Sequence, residues 1–136
     1  MQTSHTIMEI MEALVSAQSD TGTPMEQAAA KKNISYFAED PYFRAHPDCF
    51  GMEDTGDFMG RPVVWALKRG TTDRTLILTG HYDAVEIDCY GDLKPFALQP
   101  DRLKEEMLKQ AYTGEVLDDL KSPDWCFGRG TADMKA

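Results

Sequence analysis

Two short motifs carry the residues best suited to chemistry. The first is Gly80-His81-Tyr82-Asp83, directly after the apolar run Leu76-Ile77-Leu78. A histidine followed two positions later by an aspartate supplies a metal ligand and a carboxylate able to orient its ring, which fixes the tautomer and raises ligand basicity. The second is Phe127-Gly128-Arg129-Gly130-Thr131-Ala132-Asp133-Met134-Lys135. Its glycines let the chain bend close to a site, and Asp133 supplies a carboxylate whose two oxygens can bridge metal ions about 3.5–4 Å apart. Each motif alone is weak. His46-Pro47-Asp48 repeats the His-x-Asp pattern after no strand, and a plain loop accounts for it. A surface turn would equally account for an isolated Asp133.

The elements that must position these residues can be read from the chain. Ile7, Ile10, Met11 and Leu14 recur at helical spacing, and Thr6 with Glu9 has the form of a capping box. After a polar break at residues 19–22, Thr23, Pro24 and Glu26 predict a second helix start; the helix runs to about Ala38 and Asp40-Pro41 ends it. Residues 41–60 read as irregular. Residues 63–67 and 75–79 read as strands, the latter a central strand covered on both faces because its apolar residues are consecutive. That places His81 at the carboxyl end of a strand, where α/β sheets build their sites. Residues 101–112, capped by Asp101, and a shorter piece over 115–120 read as helices. The expected class is α/β in layers.

Composition narrows the function. The 136 residues suffice for one domain with a core, and the net charge of -9 disfavours a nucleic-acid partner. Cys49, Cys89 and Cys126 are odd in number and widely spaced, which suits reduced thiols in the cytoplasm rather than a disulfide framework. The first cation is Lys31, so no signal peptide is expected. No apolar run approaches the roughly 20 residues of a membrane span, and no membrane partner is expected.

Taken together and in this order, the two motifs resemble those of the zinc aminoacylase family, which includes acetylornithine deacetylase, succinyl-diaminopimelate desuccinylase and glutamate carboxypeptidase. The polar break before Thr23-Pro24-Met25-Glu26 looks like that family's Ser-rich turn. The long segment 86–124, with Tyr42-Phe43 and Tyr90-Gly91-Asp92-Leu93, resembles the arginine-utilisation branch. The resemblance implies that residues 1–136 are the N-terminal part of a three-layer α/β/α zinc-exopeptidase-like catalytic domain. The remainder of that domain, and a lid and dimerisation domain that allows a homodimer, are absent from this chain.

By the same resemblance His81 is a zinc ligand, Asp83 is the catalytic residue that orients His81, and Asp133 bridges two zinc ions, for which cobalt or manganese can substitute. The peptide bond after Asp133 is often cis in the family, and Ala136 departs from a common glycine. The implied reaction is hydrolysis of an amide in a small-molecule N-acyl amino acid or peptide. Its general base, a glutamate of a Glu-Glu pair, and the remaining ligands belong beyond Ala136. Two other readings therefore stand beside the enzyme: a catalytically silent truncated fragment, and a non-enzymatic interaction module that keeps the fold. Deacylase and dipeptidase stay unseparated.

Overall fold

The computed structural model describes residues 5–135. Ala136 and residues 1–4, on which the family departure and part of the signal-peptide reading fall, lie outside them. Helix α1 (Ile7–Ser16) starts at the expected capping box: Thr6 Oγ1 accepts from Glu9 N at 3.2 Å, and the Glu9 carboxylate accepts from Thr6 N at 2.7 Å. Its buried face is Met11 and Val15, whereas Ile7 is exposed. Ile7, Ile10, Met11 and Leu14 still share one face, which lines a hollow with Ala29 of the next helix.

Helix α2 (Glu26–Glu39) begins three residues after Thr23. The expected caps act in the turn before it, where Thr23 Oγ1 accepts from Met25 N at 3.2 Å and Glu26 Oε1 accepts from Gly22 N at 2.7 Å. Ala29 and Ala30 are fully buried, and their small side chains allow α1 to approach closely. Asp40-Pro41 ends α2 as expected, but it also starts α3 (Pro41–Ala45): Asp40 Oδ1 accepts from Tyr42 N at 2.8 Å and proline occupies the first turn.

Residues 41–60 are more regular than expected. After α3 and a single 3-10 turn, strand β1 (Phe50–Asp54) pairs antiparallel with β2 (Pro62–Ala66), from Phe50↔Ala66 to Asp54↔Pro62. Phe-Gly-Met-Glu-Asp contains no β-branched residue, and only Phe50 among its five residues favours a strand, so the propensity signal of β1 is weak. Gly51 opposite Trp65 lets the indole lie across the hairpin, since a Cβ there would sit 3.1 Å from Trp65 Nε1.

The second expected strand does not form. Residues 75–79 have no ladder, and Leu76, Ile77 and Leu78 are 82%, 80% and 86% exposed. A strand exists only through a hydrogen-bonded neighbour, and among the described residues none pairs with this run. The chain bonds again at Ala84, in a parallel bridge to Asp20. A 3-10 stretch over residues 88–96 leads to α4 (Pro100–Leu108) and α5 (Glu115–Lys121). Asp101 lies within α4 rather than at its cap, and Leu103 and Leu120 are buried between the helices and the chain beneath. The architecture is mixed helix with a small two-stranded sheet, compatible with an α/β class.

Candidate functional site

The polar break between α1 and α2 organises the site. Ser19, buried, donates from Oγ to Tyr82 O at 2.7 Å, Ala84 N donates to Ser19 O at 2.9 Å, and Thr21 N donates to Ala84 O at 3.0 Å. These bonds fix residues 82–84 against residues 19–21. The Tyr82 hydroxyl reaches the other way, to Pro62 O at the start of β2, and burial pushes its phenol pKa up.

His81 projects from this anchored segment, 46% exposed, between two carboxylates. Its Nδ1 lies 3.0 Å from Asp83 Oδ1 and 3.2 Å from Asp83 O. Its Nε2 lies 3.0 Å from Asp133 Oδ1, although Asp133 is 52 residues further on. Thr21 Oγ1 donates to Asp83 Oδ2 at 2.7 Å, turning the other carboxylate oxygen toward the ring. The His81 pKa is raised: the hydrogen bond to the Asp83 backbone contributes most, desolvation opposes it, and the carboxylates of Asp83 and Asp133 add to the rise. Both ring nitrogens face acceptors, an arrangement that favours the protonated ring.

The second motif reaches His81 through a tight turn. Arg129 N donates to Ala97 O at 2.8 Å, and the Arg129 guanidinium donates to Cys89 Sγ at 2.7 Å while lying over the Tyr90 ring. Gly130 has φ of +89°, and a Cβ there would meet the Lys135 stem at 3.1 Å. Lys135 N donates to Gly130 O at 3.0 Å, closing the loop whose tip carries Asp133, and the Asp133-Met134 peptide bond is cis. The Asp133 side chain is 77% exposed. Lys135 is its opposite: 5% exposed, with Nζ donating to Ala17 O at 2.7 Å and its pKa pushed down to about 8 by burial. Beside the site, Ile10, Met11, Leu14, Tyr82 and Met134 line an apolar hollow.

The structure thus brings His81, Asp83 and Asp133 together. His46 lies apart, stacked on Tyr42 with Nδ1 2.8 Å from Tyr42 O, and Asp48 faces Arg69. Thr21 and Lys135 are parts of the site that motif reasoning assigned no role. Thr21 lies in a polar break whose contacts are 62 residues away, and Lys135 was visible only as a motif residue.

An imidazole nitrogen and a carboxylate oxygen are suitable donors for zinc. A tetrahedral zinc with bonds of about 2.0 Å sets neighbouring ligand atoms about 3.3 Å apart, close to the Nε2–Oδ1 separation of 3.0 Å. Asp83 lies on the other ring nitrogen, as a ligand-orienting carboxylate does. Among the described residues, no group of three or more His, Cys, Asp or Glu side chains is placed to hold one metal ion.

Known proteins give a partial match. The chain is 36% identical over 138 residues to "Uncharacterized protein YqjN" of Bacillus subtilis (strain 168). It is 29% identical over 139 residues to "Protein RocB" of the same organism. The alignments cover 99% and 100% of this chain but 25% of each relative, so the chain spans about a quarter of the length of the curated relatives it matches. No family model and no solved structure matches. No helix among the described residues is long and apolar enough to cross a membrane.

Proposed function

We propose that this chain is the leading part of the catalytic domain of a zinc-dependent amide-bond hydrolase. The enzyme is a deacylase or peptidase acting on N-acyl amino acids or small peptides in the cytoplasm, in amino-acid and arginine degradation. The observation that carries the reading is the meeting of His81 with Asp83 on one ring nitrogen and Asp133 on the other. The partial likeness to RocB supports the arginine-utilisation branch. The complete protein is read as a three-layer domain with a lid, acting alone or as a homodimer.

Each residue has a task in this reading. Asp83 accepts the Nδ1 proton, which leaves the Nε2 lone pair for a cation. Thr21 holds the far oxygen of Asp83 and so fixes the plane of the ring. Asp133 offers two oxygens from a loop tip free to face two ions. In the metal-free chain a proton on Nε2 takes the line to Asp133 that a cation would occupy. Bound zinc supplies Lewis acidity toward an amide carbonyl and lowers the pKa of water toward neutrality. The general base and the remaining ligands belong to the three quarters of the relatives' length that this chain does not span.

The test pairs this chain with the protein of its complete reading frame. The complete protein should bind zinc tightly and hydrolyse members of an N-acyl amino acid and dipeptide panel. The 136-residue chain should bind zinc weakly and hydrolyse nothing. Tight zinc and turnover by the short chain would place the missing ligands within it. A complete protein with neither would leave the interaction-module reading standing.

A further inference from the structure

Among the described residues Asp133 has one side-chain partner, His81, and it is largely exposed, so its own contacts do not explain why it stands there. The explanation lies two residues on. Lys135 closes the Asp133 loop by its backbone bond to Gly130 O, lays its stem against the Gly130 backbone, and carries its ammonium inward to Ala17 O. Ala17 leads directly into the segment whose Ser19 and Thr21 hold Tyr82, Asp83 and Ala84. The Asp133 side and the His81 side of the site are therefore tied to the same short segment of backbone.

We propose that Lys135 is a positioning residue, whose ammonium on Ala17 O registers Asp133 against His81. The inference rests on the zinc-site reading above for its consequence, but the registration itself is a property of the metal-free chain. Burying a lysine costs free energy unless the ammonium has a partner, and a surface lysine would close the loop without that cost. The inward route is explained if the tie sets the distance across the site.

The experiment uses the 136-residue chain without metal, with ¹⁵N-labelled histidine, and reads the two imidazole nitrogens of His81. Asp133→Ala defines the spectrum of a ring that has lost its Nε2 partner. Lys135→Met, similar in length but lacking the ammonium, should give the same spectrum, and the double variant should add nothing. Lys135→Arg, which keeps a cation of sufficient reach, should retain the wild-type signals. Should Lys135→Met unfold, Lys135→Gln makes the same comparison, because its amide ends one bond short of Ala17 O.

Zinc titration of the complete protein supplies a second readout. Lys135→Met should weaken zinc about 10-fold, at the lower end of the losses seen on removing groups that orient metal ligands, and Lys135→Arg should restore most of it. A Lys135→Met chain with a lowered melting temperature but an unchanged His81 spectrum overturns the proposal. Wild-type protein that binds no zinc, with the spectra behaving as described, instead removes the metal reading and leaves the registration intact.

Discussion

Replacing His81 with alanine separates a residue placed for chemistry from one placed for stability. The imidazole is nearly half exposed and meets two carboxylates at 3.0 Å each. Exposed ion pairs contribute about 0.2–1 kcal/mol apiece, so losing both should cost about 1 kcal/mol. For a chain of this size that lowers the melting temperature by about 3–5 °C. Leu103→Ala is the internal standard. Leu103 is fully buried on α4, and truncation of such a leucine costs about 2–5 kcal/mol. Thermal melts of both variants, followed by circular dichroism, give the stability arm. Calorimetric zinc titration of the complete protein gives the other, in which His81→Ala should lose zinc binding and turnover while Leu103→Ala, below its melting temperature, keeps both. A His81→Ala variant as unstable as Leu103→Ala would make His81 a structural residue. Retained zinc affinity would remove it from the site.

Acidity should act on the same residue with a defined sign. The folded His81 pKa is raised above its ordinary value, so the stabilisation it contributes is complete below the unfolded pKa of about 6.5 and fades as pH rises through the folded pKa. Zinc competes with that proton, so apparent zinc affinity should fall about tenfold per pH unit below the folded pKa; a profile flat between pH 5.5 and 8 contradicts the assignment. Ile77→Lys should leave the unfolding free energy within about 0.5 kcal/mol of wild type, as surface substitutions do. It should also reduce self-association of the short chain in sedimentation velocity, because Leu76, Ile77 and Leu78 form an exposed apolar run. Unchanged association would place the sticky surface elsewhere.

What the sequence disclosed follows the range of the forces involved. The capping box at Thr6, the end of α2 at Asp40-Pro41, the strand near Val63 and the short helix α5 are settled by neighbours a few positions away, and all four were legible. Strand β1 was hidden because Phe-Gly-Met-Glu-Asp looks like a loop until Trp65 lies across it. The run at residues 76–78 has the composition of a buried strand, yet burial depends on partners that the described residues do not supply. At the site, the His81–Asp83 relation is a two-residue spacing and could be read directly. The approach of Asp133 entered only through family resemblance. The anchoring of Lys135 on Ala17 left no local trace, because it is a contact between two distant backbone turns.

That last contact has a consequence for the order of folding. It joins residues 118 positions apart, whereas the β1–β2 hairpin joins Phe50 to Ala66. Loop closure scales with the logarithm of length, and costs about 4 kcal/mol for the first and about 2.5 kcal/mol for the second before constant terms. The hairpin and the capped helices can therefore form while the chain is still emerging from the ribosome. His81 and Asp133 cannot meet until residue 135 has cleared the exit tunnel. Within residues 5–135 the cleft closes after the hairpin, and until Asp133 arrives His81 is an ordinary surface histidine.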